Sequence, residues 1–471
     1  MTTYDLCVIG SGPGGQKAAI QAAKLGKRVC VVEKHTSLGG VTVNTGTIPS
    51  KALREAILQM QGKASATPSE HDFFEARNRT LTELMSSCQR VIDNEIQMIQ
   101  RHLRSNGIEI IQGHASFRDQ FHVDAETPTG TRHINAEHFV IAVGSKPARP
   151  ANIVFDDEDV ITSDELLRLN ALPVSMIIVG GGVIGTEYAS MLSALGVKVT
   201  LVEGRSRLLE FLDAEISEAL QYHLRRAGMT LRLGEKVVSI KTTEPAGGAR
   251  SVNNRVVEAI LESDKVLRAD ALLYAIGRQG STAELGLENV GITPDKRGRI
   301  TVNEDFQTEV ENIYACGDVI GFPALASTSM EQGRVAACGI FGERCRTIPE
   351  QIPYGIYSIP EISMVGWTEE KLTSEGIPYE AGVAQYDEIA RGHLLGDLTG
   401  MLKLLIHQET HQILGVHIIG TGATELIHIG QAAIAFNATV EYFVNAVFNY
   451  PTLAECYKVA ALNGLNKLRG M

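Results

Sequence analysis

The sequence lacks the features that mark membrane, secreted and nucleic-acid-binding proteins. No apolar run reaches the roughly 18 residues that a membrane helix needs, and the N-terminus shows no basic-then-apolar leader. Positive charge is not in excess either, since the formal net charge is −12. We therefore expect a soluble cytoplasmic protein with no nucleic-acid or membrane partner.

Cysteine is also sparse. Seven cysteines are scattered over 471 residues and none forms a CxxC pair. Cys7 and Cys30 lie inside apolar strands, where cysteine behaves as a small hydrophobe. This usage indicates a reducing compartment and no disulfide framework. The thirteen histidines show no spacing typical of metal ligands, so we predict no metal site.

What the chain does have is a glycine-rich turn at its start. The apolar strand Tyr4–Ile9 leads into Gly10-x-Gly12-x-x-Gly15, and Glu33 follows the last of these glycines by 18 residues. The first glycine permits a tight turn, the second lets the backbone approach a pyrophosphate, and the third lets helix pack on strand. The helix N-terminus then faces the phosphates and the carboxylate bonds a ribose hydroxyl.

The same pattern recurs in mid-chain. The strand Met176–Val179 leads into Gly180-x-Gly182-x-x-Gly185, and Glu203 again follows the last glycine by 18 residues. One such match is a weak signal, whereas two complete matches with equal spacing predict two dinucleotides bound to one polypeptide.

The remaining hydrophobic periodicity predicts further elements around these turns. At about 150 residues per domain the length suggests roughly three domains. A loop from Gly39 is expected to enter a helix over Lys51–Gln61, and three- and four-residue spacing of apolar residues predicts a long amphipathic helix up to Leu103. Strands are expected at residues 108–112, 138–143, 271–276, 313–318, 402–407 and 412–419, and tail helices from Thr424 and Thr452.

At this point the chain resembles the pyridine nucleotide-disulfide oxidoreductases, a family of class I flavoproteins, from Tyr4 to Leu468. Both glycine turns match that family in order. Three further motifs match it: Ala315-Cys316-Gly317-Asp318, Pro360-Glu361 with Val365-Gly366, and Pro451-Thr452-x-x-Glu455.

The resemblance implies an α/β fold with two Rossmann-like dinucleotide-binding domains, one for FAD and one for NAD(P), plus a C-terminal α+β dimerisation domain. The FAD-binding domain is expected to be split between residues 1–150 and 278–350. The NAD(P)-binding domain would occupy residues 151–277 and the interface domain residues 351–471. FAD is the expected cofactor, NAD and NADP are the expected substrates, and the chain is expected to form a homodimer or higher homo-oligomer.

Three departures from the family pattern bear on the chemistry. The two redox cysteines of the family are replaced by Thr42 and Thr47, and the C-terminal histidine that manages the thiol proton is replaced by Tyr450. A threonine hydroxyl cannot form a disulfide, and a phenol with a pKa near 10 is a poor proton shuttle at pH 7. This pattern resembles the transhydrogenase branch of the family.

The resemblance therefore implies an FAD-dependent NAD(P)⁺ transhydrogenase of the Si-specific type, exchanging hydride between NADPH and NAD⁺ in ping-pong order without a redox disulfide. An alternative is an NAD(P)H-dependent flavin reductase, or diaphorase, acting on a quinone, a metal ion or oxygen. A third reading, a nucleotide-binding regulatory protein without catalysis, is disfavoured by the presence of Lys51, Glu187 and Asp318.

By the same resemblance, Lys51 lies near flavin N5, paired with Glu187, and Asp318 bonds the ribityl chain. Tyr450 and Glu455 occupy the family's remaining catalytic positions. Tyr450 is either a packing residue near the flavin or an acid–base group, and Glu455 either serves catalysis or closes a capping box with Thr452 as N-cap.

The resemblance also assigns cofactor-binding positions in both turns and in the segments around them. For FAD these are Gly10, Gly12, Pro13, Gly14, Gly15, Glu33, Lys34, Gly40, Thr42, Thr47, Lys51, Ala115, Gly144, Ser145, Gly317 and Asp318. For the nicotinamide nucleotide they are Gly180, Gly182, Val183, Ile184, Gly185, Glu203, Arg205 and Gly277.

Nucleotide choice is expected to depend on the residues that follow Glu203. A carboxylate there accepts a ribose 2′-OH and repels a 2′-phosphate. Arg205 and Arg207 offer planar forks suited to phosphate, and Gly204 adds no bulk, so a turning loop could present either charge. The other interpretation is that both arginines are solvated loop charges.

Overall fold

The computed structural model describes residues 3–61, 70–169, 171–244, 255–343 and 351–470, with the backbone alone described for residues 61 and 70–82. Chain contacts divide it into two compact units. The first comprises Met1–Pro150, Thr162–Leu172 and Ile276–Ile348, and the second comprises Ala151–Ile161, Pro173–Ala275 and Pro349–Met471. The second unit holds both the second glycine turn and the tail, so the three-domain division stays a prediction.

Strands and helices alternate through both units. The strands are β1 Thr3–Ile9, β2 Val29–Glu33, β3 Glu109–Gln112, β4 His114–Asp119, β5 His122–Thr127, β6 Gly130–Ile141, β7 Ser145–Pro147, β8 Val160–Ile161, β9 Ser175–Val179, β10 Lys198–Glu203, β11 Thr230–Leu233, β12 Val237–Thr243, β13 Val256–Leu261, β14 Val266–Ala269, β15 Ala271–Tyr274, β16 Arg278–Gly280, β17 Ile313–Ala315, β18 Tyr354–Ile356, β19 Ile362–Gly366, β20 Tyr379–Gln385, β21 Met401–His407 and β22 Ile413–Ile419. The α-helices are α1 Pro13–Lys24, α2 Gly40–Asn44, α3 Thr47–Gln61, α4 Glu70–Ser105, α5 Ser163–Leu166, α6 Val183–Ala194, α7 Ala214–Arg226, α8 Ala326–Ile340, α9 Glu369–Ser374, α10 Ala390–Leu395, α11 Ala423–Ala435, α12 Val440–Asn445 and α13 Glu455–Leu468.

The first unit is built on a seven-stranded sheet in the order β3-β2-β1-β6-β5-β4, with β17 also paired to β6. Strand β1 runs parallel to both β2 and β6. Leu6 and Val8 pack with alanines of α1, while Cys7 and Ile9 enter a separate cluster on the other face. Because both faces of β1 are covered, its sequence is a nearly continuous apolar run rather than an alternating one.

The second unit carries a parallel sheet in the order β11-β10-β9-β15-β8 and an antiparallel sheet β12-β13-β14. Strand β9 lies between β10 and β15 and is parallel to both. Strand β9 ends where the second glycine turn begins, and β10 ends at Glu203. The fold thus brings the turn and its carboxylate to the carboxyl ends of two neighbouring parallel strands, the edge at which such sheets bind ligands.

The tail of the second unit forms an antiparallel sheet in the order β18-β19-β22-β21-β20. Residues of β21 and β22 share a buried core with α11, α12 and α13, in which the rings of Phe443 and Tyr457 lie 4.8 Å apart. The two predicted tail strands are present as β21 and β22. Together with the parallel sheets, this α+β tail confirms the predicted α/β class with two Rossmann-like regions.

The prediction of a loop after Gly39 was wrong. The segment after Gly39 is not a plain loop, because it contains α2, and α3 begins at Thr47 rather than Lys51. Valine and threonine have low helix propensity, so the residue types there did not indicate a helix. Tertiary contacts override that preference: Val43 is buried, and the Asn44 amide donates to the carbonyls of Leu38 and Gly40 at 3.1 and 2.8 Å.

The described cysteines are all buried, and one of them is disulfide-bonded. Cys7, Cys30, Cys88, Cys316 and Cys456 are free and buried. Cys338, in α8, is disulfide-bonded, which the scattered spacing did not predict. Among the described helices, none combines the length and hydropathy required to cross a bilayer.

Candidate functional site

The first glycine turn has the geometry that a pyrophosphate needs. Gly10 has a φ of +103°, and a Cβ there would lie 2.4 Å from the Ala142 carbonyl oxygen. A Cβ at Gly15 would lie 2.1 Å from the Gly10 carbonyl oxygen, so this glycine sets the close approach of α1 to β1. At Gly12 the nearest atom to a Cβ is 3.9 Å away, which leaves the backbone open to a ligand.

The second turn repeats this geometry. Gly180 has a φ of +111°, and a Cβ at Gly185 would lie 1.9 Å from the Gly180 carbonyl oxygen. A Cβ at Gly182 would meet no atom within 4 Å. Helices α1 and α6 begin after Gly12 and Gly182 without a side-chain cap, so their first N–H groups stay available to an anion.

The first-turn residues of the two helices differ. Pro13 and Gly14 open α1, and a Cβ at Gly14 would lie 2.8 Å from Cys316 Sγ. Gly14 therefore permits close packing within the first unit, in addition to its predicted place beside the cofactor. Val183 and Ile184, which open α6, are partly exposed.

Glu33 is buried at the end of β2, next to the first turn. Its Oε2 accepts from the Ser11 N–H at 2.9 Å and the Ser11 hydroxyl at 2.6 Å, and its Oε1 accepts from the His35 N–H at 2.9 Å. A carboxylate has about four acceptor positions. Three donors from the described residues therefore leave one position for a ribose hydroxyl. The neighbouring Lys34 is exposed.

Glu203 occupies the matching place at the end of β10, but its oxygens are more fully engaged. Oε1 accepts from the Arg205 N–H at 2.9 Å and from Arg205 Nε at 3.0 Å. Oε2 accepts from the Gly181 N–H at 2.6 Å and from Arg205 Nη2 at 3.1 Å. Burial alone would raise the pKa of Glu203, but the hydrogen bonds from Arg205 and Gly181 outweigh it and hold the pKa below its usual value.

Asp318 belongs to a polar network in the first unit. The Ser145 hydroxyl donates to Asp318 Oδ2 at 2.7 Å, and Arg278 donates to the Ser145 hydroxyl and carbonyl oxygens at 2.8 Å each. Burial raises the pKa of the nearby Asp164, partly offset by the Arg278 charge. Arg278 and Asp164 were not predicted as site residues; the position of Arg278 directly after the breaker Gly277 was the available signal.

Three predicted glycines flank this network in left-handed conformations. Gly144, Gly277 and Gly317 have φ values of +66°, +81° and +80°. The Gly317 N–H donates to the Gln332 side-chain oxygen at 2.7 Å, which fixes the turn that presents Asp318. Ala115, the other predicted contact in this part of the chain, is buried in β4.

Thr42, Thr47 and Lys51 lie on α2 and α3, two consecutive helices of the first unit. Thr42 is half-buried in α2, which Gly40 begins, and Thr47 is the first residue of α3. Lys51, one turn further along α3, donates from Nζ to the Ser50 hydroxyl at 3.3 Å. Thr42 and Thr47 stand at the two positions where disulfide redox chemistry would need cysteine thiols, so no disulfide can form between them.

Glu187 belongs to the second unit. It is buried in α6, and its Oε1 accepts from the Tyr357 N–H of the tail at 2.8 Å. Lys51 lies in the first unit, so its pairing with Glu187 stays a prediction.

Tyr450 and Glu455 lie in the tail. Tyr450 is 74% exposed in the single chain. Helix α13 begins at Glu455 with Ala454 as its N-cap, so the prediction of Thr452 as N-cap was wrong. Half of the expected capping box is present, because Glu455 Oε2 accepts from the Thr452 N–H at 3.4 Å. The Thr452 hydroxyl donates instead to the Asn449 carbonyl oxygen, which removes it from the helix end.

An acidic cluster in the second unit resembles a metal site but already holds a cation. Asp213, Glu215 and Glu369 place carboxylate oxygens within 4.8 Å of one another. Lys403 is fully buried, and its Nζ donates to all three, at 2.9 Å for both Asp213 and Glu215. These bonds raise the pKa of Lys403 despite the opposing effect of burial. The ammonium group therefore provides the positive charge that these carboxylates need.

Comparison with known proteins agrees with this geometry. A family model described as pyridine nucleotide-disulphide oxidoreductase matches residues 4–333, and its dimerisation domain matches residues 352–461. The chain belongs to this family. The family is FAD-binding, which makes the first glycine turn, with its open Gly12 and the free acceptor position on Glu33, a fitting FAD site.

Individual relatives cover nearly the whole chain. The soluble pyridine nucleotide transhydrogenase of Mycobacterium tuberculosis (strain ATCC 25177 / H37Ra) is 50% identical, with 100% of this chain and 99% of the relative covered. That of Marinomonas sp. (strain MWYL1) is 44% identical, with 99% and 100% covered. Among solved structures, the HOCl-induced flavoprotein disulfide reductase RclA from Escherichia coli has a TM-score of 0.86 at 28% identity, covering 98% of this chain and 100% of that one. That protein is named for disulfide reduction, a chemistry for which Thr42 and Thr47 offer no thiol.

Proposed function

We propose that this member of the family is a transhydrogenase that exchanges hydride between NADPH and NAD⁺ through bound FAD. The observation that carries the proposal is the combination of two complete dinucleotide turns with threonine at both positions of the redox pair. Two nucleotides can therefore be held, while the positions of the family's redox pair offer no dithiol for electrons to pass through. The relatives named soluble pyridine nucleotide transhydrogenases, which align over the full length, support the same activity.

The residues of the first unit hold the cofactor. The open backbone at Gly12 and the uncapped N-terminus of α1 receive the pyrophosphate, and Glu33 accepts the adenosine ribose hydroxyl. Asp318, oriented by Ser145, accepts from the ribityl chain, and Lys51 provides positive charge near the flavin ring. Bound FAD would supply the chemistry that carries a hydride between two nicotinamides, so the protein's part is placement and electrostatics.

The second unit holds the nicotinamide nucleotide in the same manner. Gly182 and the uncapped start of α6 receive its pyrophosphate, and the carboxylate of Glu203 lies where the adenosine ribose is read. We propose, from the family resemblance, that Glu187 is the partner of Lys51, that Tyr450 packs near the flavin ring and that Glu455 occupies the family's remaining catalytic position. Since no thiol takes part, none of these groups has to carry a proton to sulfur.

We also propose the split arrangement of domains, with the FAD-binding domain in residues 1–150 and 278–350, a cytoplasmic location and a homodimer formed by the tail. The match of residues 352–461 to a dimerisation domain supports self-association. Large exposed side chains in this region, which a partner would cover, support it too: Phe436, Tyr442, Val447, Tyr450 and Leu462. Light scattering on the FAD-loaded protein tests it, with a mass of two chains or more expected.

The test of function is a two-step anaerobic mixing experiment. NADPH should bleach the FAD absorbance of the holoenzyme, and NAD⁺ added after removal of NADP⁺ should restore it with formation of NADH. Reoxidation by a quinone or oxygen but not by NAD⁺ would instead identify a diaphorase. The Si-specific type predicts loss of deuterium from NADPH labelled at the pro-S position of C4, and retention from the pro-R position.

A further inference from the structure

We propose that the Arg205 side chain is an exchangeable latch on Glu203, which lets one nucleotide site accept both NAD(H) and NADP(H). The inference rests on the proposed function, because only an enzyme that uses both nucleotides at one site needs such a device. In the free site Arg205 covers Glu203. When NADP(H) binds, the guanidinium moves to the 2′-phosphate; when NAD(H) binds, it moves aside and Glu203 accepts the ribose 2′-OH.

The first step is that Glu203 is saturated. Four donors fill the acceptor positions of its carboxylate, and two of the four come from the Arg205 guanidinium. A ribose hydroxyl can bond Glu203 only if one of these donors leaves. The Gly181 and Arg205 N–H groups are backbone groups of the turn and the strand end, so the guanidinium is the donor that is free to depart.

The second step is that the backbone around Arg205 is fixed. The Arg205 N–H donates to Glu203, and the Arg205 carbonyl oxygen accepts from the Gly234 N–H at 2.8 Å. A Cβ added at Gly204 would approach the Lys236 side chain at 3.2 Å, so the segment packs closely there. The exchange is therefore a movement of the half-exposed Arg205 side chain, and not the turning of a glycine-hinged loop that the sequence suggested.

The third step separates Arg205 from Arg207. Arg207 Nη1 lies 3.3 Å from Glu370 Oε1, and the same oxygen accepts from the Ala214 N–H at the start of α7. Arg207 thus belongs to the contact between the segment after β10 and α9. It serves as the matched control, because it has the same charge and lies two residues further along the chain.

The fourth step is energetic. The latch exchanges one two-oxygen acceptor for another, because a carboxylate and a phosphate can each accept both N–H groups of the guanidinium fork. The hydrogen bonds that Arg205 gives up on Glu203 are replaced by its hydrogen bonds to the phosphate, so NADP(H) can bind although Glu203 stays close by. For NAD(H) the released guanidinium returns to water, which a half-exposed side chain can reach at low cost.

The test measures binding without redox chemistry. ADP-ribose and its 2′-phosphate derivative both lack the nicotinamide ring, and their affinities for the FAD-loaded enzyme can be measured by isothermal titration calorimetry. Arg205→Ala should weaken binding of the 2′-phosphate derivative about tenfold or more, which corresponds to 1.4 kcal/mol. It should leave ADP-ribose within twofold or tighten it, because the latch no longer competes. Arg207→Ala should leave both ligands within twofold.

Two further variants keep the proposal open to refutation if Arg205→Ala folds poorly. Arg205→Lys should retain part of the preference for the 2′-phosphate, since an ammonium binds phosphate as a point charge. Glu203→Gln should weaken ADP-ribose while leaving the 2′-phosphate derivative unchanged or tighter. Equal losses for both ligands in Arg205→Ala, or an equal effect of Arg207→Ala, would overturn the latch. A latch confirmed by binding alongside absent hydride exchange would refute the proposed function alone.

Discussion

The two carboxylates that end β2 and β10 occupy the same place in the same motif, yet they differ in what they can still accept. Glu33 is held by Ser11 and by the His35 N–H, and keeps one acceptor position. Glu203 is held by the Gly181 N–H and by Arg205, and keeps none. The difference arises at the second residue after each carboxylate. His35 donates only its backbone N–H to Glu33, whereas Arg205 donates its backbone N–H and its guanidinium to Glu203.

The helices that follow the two turns differ in a related way. Gly14 of α1 meets α8 so closely that a Cβ at Gly333 would lie 2.0 Å from the Gly14 carbonyl oxygen. Ile184, at the matching position of α6, is partly exposed. A turn packed inside its unit suits a cofactor that stays bound. A more open turn, whose carboxylate holds an exchangeable arginine side chain, suits a substrate that leaves after each hydride transfer.

The largest effect is expected at Lys51. Changing Lys51→Met should slow reduction of the enzyme-bound FAD by NADPH and by NADH alike, because the lost charge acts on the flavin that both nucleotides reduce. One charge-assisted contact at a pre-organised site contributes about 2–4 kcal/mol, roughly 30- to 1,000-fold in rate. Anaerobic stopped-flow with each nucleotide measures it, and Lys24→Met, an exposed lysine of α1, is the control. A loss confined to one nucleotide would contradict this division of roles.

A matched pair of glycine substitutions should separate the two sites. Gly12 and Gly182 have φ values of −64° and −76° and open space around a Cβ, so alanine fits either position without strain. Each added methyl group should obstruct a pyrophosphate and weaken its ligand about tenfold or more. Gly12→Ala should lose FAD, measured as the flavin retained after gel filtration. Gly182→Ala should retain FAD and lose affinity for ADP-ribose; loss of flavin there would show that the sites are not independent.

The electron capacity of the first unit should be half that of a dithiol member of the family. With Thr42 and Thr47 in place of thiols, anaerobic dithionite titration should bleach the flavin completely at one two-electron equivalent per FAD, without a thiolate–flavin charge-transfer band. Alkylation of cysteines should leave hydride exchange intact, because the five free cysteines among the described residues are buried and no cysteine lies in either turn. Uptake of four electrons per FAD before the flavin is fully bleached would refute this prediction.

The sequence predicted the backbone of both sites better than their side-chain contacts. Glycine spacing is set by steric approach, so the turns, their helices and the positions of Glu33 and Glu203 follow from it. The fork between Arg205 and Glu203 depends on a rotamer, and the anchoring of Arg207 on Glu370 joins residues 163 apart in the chain. Neither leaves a local pattern. Helix α2 was missed because buried contacts, rather than propensity, stabilise it.

The smallest expected effect is the pH dependence of the stability that the Arg205–Glu203 pair contributes to the second unit. The pKa of Glu203 is held below its usual value, because the hydrogen bonds from Arg205 and Gly181 outweigh burial. A carboxyl group whose pKa is depressed on folding contributes stability that is fully present above the unfolded pKa, near 4.3, and is lost as the pH falls through the folded pKa. Glu203→Gln should therefore lower Tm more at pH 7 than at pH 4. The difference in Tm between the variant and the unchanged protein should shrink further below pH 4.

Glu262→Gln is the control, because Glu262 pairs with Lys236 on the surface at 3.9 Å and should shift Tm little at either pH. A Tm difference for Glu203→Gln that stays constant with pH would show that the Arg205–Glu203 pair contributes no charge-dependent stability. Glu33 and Glu203 would then differ only in how many of their acceptor positions are filled.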